Sequence, residues 1–77
     1  MKKVYVAVNA EFTPDGQILP RSFVWADGRS FEIDRISDIR PAASLKAGGV
    51  GTRYTCTIRG RQIFMFLENS RWFMEGK

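Results

Sequence analysis

The sequence predicts a small all-β domain, an SH3-like barrel of five to six short antiparallel strands. Apolar and polar residues alternate over short runs, which is the pattern of strands that bury one face. Tight-turn signals rich in glycine, aspartate and asparagine separate these runs. Short strands of this kind close or nearly close into a barrel, because closure removes exposed sheet edges.

The first predicted strand is Lys3–Asn9, in which three valines alternate with other residues. A turn at Thr13–Gly16 follows, since proline pre-sets the turn backbone and glycine accepts a positive φ. Ile18 and Leu19 start the next strand. Pro20 interrupts that strand unless it lies at an edge or a bend.

The second and third strands, Arg21–Ala26 and Arg29–Ile36, flank a turn that allows two registers. A two-residue turn at Asp27-Gly28 places Val24 opposite Phe31. A three-residue loop with Gly28 in the left-handed conformation places Phe23 opposite Phe31 instead. The second register is preferred because it also gathers Trp25 and Ile33 on the face of those two rings.

Beyond Ile33 the alternation changes phase, which predicts a bulge or bend near Asp34-Arg35. A single helical turn over Asp34–Arg40 is the competing interpretation. Pro41–Gly51 is predicted as a connector in which Ala42–Ala47 could form one short helical turn. This connector is too short and too rich in glycine for the longer helix of an OB-type barrel, which is therefore the second choice.

The segment from Arg53 to Lys77 predicts three strands joined by two-residue turns at Arg59-Gly60 and Asn69-Ser70. The predicted cross-strand pairs are Cys56–Ile63, Tyr54–Met65, Leu67–Trp72 and Met65–Met74. One face then holds Tyr54, Cys56, Ile58, Ile63, Met65, Leu67, Trp72 and Met74. A slip of one residue would scatter this apolar set, so the register is well specified.

The opposite face of these strands mixes aromatic, hydroxyl and cationic side chains. It carries Arg53, Thr55, Thr57, Gln62, Phe64, Phe66 and Phe73. Three nearby phenylalanines are typical of an interaction surface, since monomers seldom leave such a patch bare. We expect the surface to consist of Phe64, Phe66, Phe73, Arg53 and Thr55.

Three interpretations of this face are open. In the first, Lys3–Leu19 folds over it and the rings form a second core. In the second, it binds a protein partner or a second copy of the chain. In the third, it binds single-stranded nucleic acid weakly and without sequence preference, because rings stack on bases and cations reach phosphates. The residues of the nucleic-acid interpretation are Lys46, Arg53, Arg59, Arg61, Phe64 and Phe66.

The charges favour a polyanion without identifying one. The 77 residues carry a formal net charge of +4, and no acidic residue lies between Asp38 and Glu68. Arg40 and the four cations Lys46, Arg53, Arg59 and Arg61 all fall in that stretch. Gly48–Gly51 lies there too, but it leads into a strand and lacks the lysine and hydroxyl residue of a phosphate-binding loop. A flexible connection is the simpler interpretation of these glycines.

Catalytic, metal-binding and cofactor-binding residues are not predicted. The chain has no histidine and one cysteine, so the commonest general base and a zinc-ligand set are both missing. Cys56 is expected to be a buried, inert core thiol. The carboxylates of Glu32, Asp34 and Asp38 alternate with arginines, which is typical of a solvated strand face.

The length indicates one domain over residues 1–77. The first residues are too polar for a secretory signal, and no run is long enough to span a membrane. A single cysteine without a disulfide framework is typical of a reducing compartment. We therefore expect a stand-alone cytoplasmic protein that acts as a non-catalytic interaction module and is neither an enzyme nor a membrane protein.

Four segments carry a resemblance to known sequences. They are Phe23–Arg29, Phe31–Ile36, Arg53–Cys56 and Glu68–Phe73. Together they resemble a group of short uncharacterised bacterial proteins, which implies a small β-domain. The shared patterns mark turns and core rings, so the resemblance implies no catalytic or binding residues.

Overall fold

The computed structural model describes residues 2–43 and 50–76, which form two antiparallel sheets. The strands are β1 (Lys2–Tyr5), β2 (Ala7–Phe12), β3 (Ile18–Val24), β4 (Ser30–Glu32), β5 (Arg35–Ala43), β6 (Val50–Ile58), β7 (Arg61–Glu68) and β8 (Arg71–Gly76). One sheet has the order β1-β8-β7-β6-β5 and the other the order β2-β3-β4. The all-β prediction is confirmed, with eight strands instead of five to six. The described strands form two separate sheets and no closed barrel. Over the same ranges, no helix has the length and hydropathy to cross a membrane.

The N-terminal segment changes sheets at Val6. β1 pairs with β8, from Lys2–Gly76 to Tyr5–Phe73, whereas β2 pairs with β3. Between them the Val6 N–H donates to the Trp72 carbonyl at 3.1 Å. The predicted single strand Lys3–Asn9 was therefore wrong, although its valines do face the core. Alternation continues through the corner, so the sequence pattern does not reveal where the partner strand changes.

Pro20 is fully buried within β3 at an irregularity in the sheet. The β2–β3 register moves from Asn9–Ser22 to Ala10–Pro20, which leaves Arg21 as the extra residue of a bulge. A bulge tolerates proline because the ladder is locally interrupted there. β3 therefore continues through Pro20, at a bulge and not at a sheet edge.

The β3–β4 hairpin has the preferred three-residue loop. Phe23 pairs with Phe31, and Gly28 has a φ of 89°. The Gly28 N–H donates to the Trp25 carbonyl at 2.9 Å, which closes the loop. The alternative register with Val24 opposite Phe31 is excluded, because Val24 pairs with Ser30.

The chain bends at Ile33-Asp34 and enters the five-stranded sheet as β5. The predicted bend is confirmed, and the helical turn over Asp34–Arg40 was wrong. The β5–β6 register moves from Ile36–Cys56 to Asp38–Thr55, so Ser37 is the extra residue of a bulge. That bulge explains why Ile36 and Ile39, three residues apart, share one side of the sheet.

The predicted connector Pro41–Gly51 was wrong at both ends. Its first three residues, up to Ala43, extend β5, and its last two, from Val50, begin β6. A helical turn over Ala42–Ala47 is excluded at its start, where Ala42 pairs with Gly51. The rest of that prediction, at 44–49, lies outside the described residues.

The C-terminal meander β6-β7-β8 forms in the predicted register. Tyr54 pairs with Met65, Cys56 with Ile63, and Leu67 with Trp72. The β7–β8 ladder ends at Phe66–Phe73, so the predicted Met65–Met74 pair is not formed. Both turns have two residues, and all four of these residues have positive φ: Arg59, Gly60, Asn69 and Ser70. Two consecutive positive φ values define the turn that matches the twist of a tight hairpin.

The core lies between the two sheets. It is built around Phe23, Tyr54, Cys56, Ile58 and Met65, which are all buried. We call the side of the five-stranded sheet that carries the last four of these residues the inner face. The predicted apolar face is confirmed, because Ile63, Leu67, Trp72 and Met74 also pack against this cluster. The opposite side of this sheet is the outer face.

Candidate interaction surface

The outer face carries a straight row of side chains across all five strands. The row runs Tyr5, Phe73, Phe66, Arg53 and Arg40, from β1 to β5. A parallel row contains Phe64, Thr55 and Asp38. Side chains in these rows are neighbours because residues directly opposite in a sheet have adjacent Cβ atoms. The predicted surface residues Phe64, Phe66, Phe73, Arg53 and Thr55 therefore lie together.

Two of the predicted rings pack mainly on each other. The Phe66 and Phe73 rings are stacked with centroids 4.9 Å apart and an interplanar angle of 8°. Tyr5 meets Phe73 edge-on at 5.8 Å. Phe73 is only 5% exposed as a result, and Phe66 is half-buried. These two rings stabilise the face instead of offering free ring surfaces to a ligand.

Cations lie over the remaining aromatic surfaces. The Lys3 Nζ lies 4.7 Å from the centroid of Phe73. The guanidinium carbon of Arg53 lies 5.0 Å from the centroid of Phe64, and that of Arg71 lies 3.7 Å from the centroid of Tyr5. Such contacts stabilise a structure by about 0.5–1 kcal/mol each when exposed. The outer face is therefore a set of cation–aromatic pairs.

The accessible part of this surface is smaller than predicted and lies partly elsewhere. Phe64 is 43% exposed and Tyr5 is 47% exposed, whereas Thr55 is buried among its neighbours. Tyr5 and Arg71 were missed by the sequence analysis, because the pairing of β1 with β8 joins opposite ends of the chain. The exposed rings of this face are Tyr5 and Phe64, each with an arginine over it, and we call Tyr5, Phe64, Arg53 and Arg71 the contact patch.

The Lys3–Leu19 segment does not cover the outer face as a whole. β1 continues the sheet beside β8, and β2 belongs to the sheet on the inner side. Only the side chains of Lys3 and Tyr5 reach over Phe73, so Phe64 and its neighbourhood stay accessible. The interpretation that this segment covers the rings as a second core therefore holds for Phe73, which is buried, and not for Phe64, which is exposed.

The outer face carries both cations and carboxylates, namely Lys3, Arg40, Arg53 and Arg71 together with Asp38, Glu68 and Glu75. Lys3 bonds Glu68 at 3.0 Å, and Arg40 bonds Asp38 at 2.7 Å. Arg53 and Arg71 form no ion pair among the described residues. The Arg53 Nε is buried without a hydrogen-bond acceptor in the same part of the chain. This buried Nε–H is unsatisfied within the described residues, which costs free energy.

The residues predicted to bind nucleic acid lie on different surfaces of the structure. Arg53, Phe64 and Phe66 lie on the outer face. Arg59 and Arg61 line a cleft between the two sheets instead. Lys46 lies outside the described residues, as do residues 48 and 49 of the glycine-rich loop, while Gly51 belongs to β6.

The ionisable groups with shifted pKa values indicate no activated nucleophile. Burial raises the pKa of the Cys56 thiol to about 11, so this side chain is a neutral core group at ordinary pH. Burial is also the main cause that raises the pKa of Tyr54, followed by the negative charge that Cys56 carries once it ionises at high pH. The pKa of Asp27 is lowered, chiefly because its carboxylate accepts the Arg29 backbone N–H.

Of the predicted carboxylates Glu32, Asp34 and Asp38, the last two have partners, and Asp38 pairs with Arg40. The Asp34 Oδ2 accepts the Arg59 backbone N–H at 2.9 Å, which fastens the β6–β7 turn to the bend before β5. No group of three or more His, Cys, Asp or Glu side chains that could hold a metal occurs within the described ranges.

Comparison of this chain with protein-family models, curated proteins and solved structures gives no match in any of the three. The resemblance to short bacterial proteins stays a prediction.

Proposed function

We propose that this protein is a non-catalytic interaction module whose contact patch binds an acidic protein segment. One observation carries the proposal: both exposed rings of the outer face, Tyr5 and Phe64, have an arginine guanidinium over them. Aromatic residues and arginine are the types enriched at protein interfaces and at their energetic hot spots.

The chemistry of the patch defines its partner. A guanidinium that lies over a ring retains N–H donors, and carboxylates accept such donors in pairs. The rings supply apolar area around these bonds, which lowers the local dielectric and strengthens them. A segment with carboxylates spaced among apolar side chains satisfies both parts of the patch.

A second copy of the chain fits the patch less well. Self-association through the outer face would bring Arg53 and Arg71 of one copy toward the same arginines of the other. Like charges across an interface oppose binding. Single-stranded nucleic acid is also less favoured, because bases need free ring faces and here the rings face one another or a cation.

The same proposal includes the fold subclass, a non-enzymatic function and a cytoplasmic location. We assign the domain to the SH3-like class, supported by two segments, 2–12 and 30–43, that each contribute strands to both sheets. Non-enzymatic function is supported by the buried, protonated Cys56. The cytoplasmic location is expected from the single cysteine.

A random peptide library displayed on phage tests the proposal without a known partner. We expect selected peptides to be enriched in Asp and Glu near apolar residues. Binding of a labelled selected peptide, measured by fluorescence anisotropy, should weaken at least about tenfold in Phe64→Ser or Arg53→Gln, since one hot-spot side chain contributes about that factor. Affinity should also fall as salt rises.

Phe12→Ser is the matched control, because Phe12 is a 77% exposed phenylalanine on β2, in the other sheet. It should leave peptide binding unchanged. Peptides without acidic enrichment, or equal loss of binding in Phe12→Ser, would contradict the proposal. A dimer in light scattering that Phe64→Ser dissociates would establish self-association instead. Salt-sensitive binding of an oligonucleotide that Arg53→Gln abolishes would establish the nucleic-acid function.

A further inference from the structure

A second surface feature lies away from the outer face, where the β3–β4 hairpin approaches the β6–β7 turn. It is a cleft between the two sheets with a volume of about 510 Å³. Its apolar walls consist of Phe23, Trp25, Phe31, Ile58, Ile63 and Met74. Small-molecule sites in proteins have volumes of about 300–1,000 Å³ and mostly apolar linings, so this cleft has the dimensions of such a site.

Arginines line this cleft and carboxylates do not. Arg29, Arg59 and Arg61 line it, with Gln62 as the remaining polar residue, and no Asp or Glu occurs among its described lining residues. Arg29 is bonded to Asp27 outside the cleft at 2.9 Å. Arg59 and Arg61 form no ion pair within the ranges that the structure describes. The cleft therefore combines an apolar interior with two arginines, Arg59 and Arg61, whose guanidinium groups are available to an anion.

Two of the three cleft arginines lie over one aromatic ring. The guanidinium carbons of Arg29 and Arg59 each lie 5.5 Å from the centroid of Phe31. Phe31 in turn stacks on Phe23 with centroids 5.3 Å apart. Asp27 already pairs with Arg29, so Arg59 is the one of these two cations that remains available to a bound anion. Because these charges lie beside an apolar wall, the cleft favours an anion that also carries an apolar group.

We propose that this cleft binds a small molecule with a flat or branched apolar body and one anionic group. The body occupies the space between Trp25, Ile63 and Met74. The anion, a carboxylate, sulfonate or phosphate, receives hydrogen bonds from Arg59 and Arg61. This site is separate from the contact patch, because Arg61 and Ile63 lie on the inner side of β7 and Phe64 lies on its outer side.

The sequence supports the site through the local geometry of the β6–β7 turn. Arg59 has a positive φ of 49°, a conformation that non-glycine residues seldom adopt. The Asp34 carboxylate holds the Arg59 backbone N–H at 2.9 Å, so the turn that carries both arginines is fastened at the cleft edge. A fixed turn lowers the entropy cost of positioning these side chains for a ligand.

The fluorescent anion 8-anilinonaphthalene-1-sulfonate tests the proposal, with N-phenyl-1-naphthylamine as its uncharged counterpart. We expect the sulfonate to bind the folded protein more tightly than the amine. The double variant Arg59→Gln, Arg61→Gln should weaken sulfonate binding at least about tenfold, because charge-assisted hydrogen bonds are lost. Binding of the uncharged amine should stay unchanged in the same variant.

Nuclear magnetic resonance locates the bound probe. The indole N–H signal of Trp25 should shift on titration with the sulfonate, whereas that of Trp72, which does not line the cleft, should not. Circular dichroism of each variant establishes that it is folded, since the probe also binds partly unfolded chains.

Arg53→Gln is the matched control, because it removes an arginine from the contact patch and leaves the cleft intact. Equal loss of sulfonate binding in Arg53→Gln would overturn the cleft site. Unchanged binding in the double variant, or no binding at about 1 mM probe, would overturn it as well. Selected acidic peptides that still bind the double variant would show that the contact patch functions independently of the cleft.

Discussion

The two faces of the five-stranded sheet differ in how their side chains are stabilised. On the inner face, Met65 and Cys56 are fully buried and fill space between the sheets. On the outer face, the neighbouring residue Phe64 is 43% exposed and contacts the Arg53 guanidinium. Adjacent positions of one strand therefore have different roles. The side chains of the inner face stabilise the fold by filling the core. Those of the outer face present aromatic rings and guanidinium groups to solvent.

The largest difference between the faces is expected from alanine substitutions at adjacent positions of β7. Met65→Ala should lower the free energy of unfolding by about 2–5 kcal/mol, because it removes buried apolar atoms and leaves a cavity. Phe64→Ala should lower it by less than about 1 kcal/mol, since its ring is partly exposed and its cation contact is weak. Urea denaturation with a common m-value measures both changes. Equal losses would mean that the outer face is a second core.

Local pattern was sufficient to predict the meander that contains these two positions. The turns at Arg59-Gly60 and Asn69-Ser70 fix the register of β6, β7 and β8, and alternation then assigns each residue to a face. The β3–β4 hairpin was predicted for the same reason, with Phe23 opposite Phe31. Hairpins are predictable because turn length and side-chain alternation are both local properties of the sequence.

The features that join distant segments were not predictable in this way. The change of sheet at Val6 leaves alternation unbroken, and the β1–β8 ladder joins Lys2 to Gly76. No local sequence pattern therefore predicted that Tyr5 and Arg71 belong to the contact patch. The cleft forms where the β3–β4 hairpin approaches the β6–β7 turn. Arg59 and Arg61 therefore lie apart from Phe64, although the three are close in sequence.

A second difference between the faces should appear at alkaline pH. Burial raises the pKa of Cys56 from an ordinary 9.0 to about 11. The folded state retains this proton longer than the unfolded chain. Its contribution to stability is therefore complete below pH 9.0 and is lost as pH rises through about 11. The expected loss is on the order of 3 kcal/mol, because the shift spans about two pKa units and one unit corresponds to about 1.4 kcal/mol.

Cys56→Ala isolates this effect from other groups that titrate in the same range, including Tyr54. Denaturant unfolding at a series of pH values should give a shallower alkaline loss for Cys56→Ala than for the original chain. Parallel pH profiles for the two proteins would mean that the thiol ionises equally in the folded and unfolded states. The inner face would then be more accessible to water than its burial indicates.

The smallest expected effect lies on the outer face, where Lys3 bonds Glu68 across Phe73. The Nζ–Oε1 distance is 3.0 Å, and the side chains are 36% and 14% exposed. A double-mutant cycle with Lys3→Met and Glu68→Gln should give a coupling energy of about 0.5 kcal/mol, because one partner is substantially hydrated. The coupling should decrease at about 1 M salt, where the Debye length is roughly 3 Å. Lys3→Met retains an apolar stem over the Phe73 ring, whereas Lys3→Ala uncovers it and should destabilise the chain further. A coupling energy that does not change with salt would show that Lys3 contributes by packing on Phe73 and not by its charge.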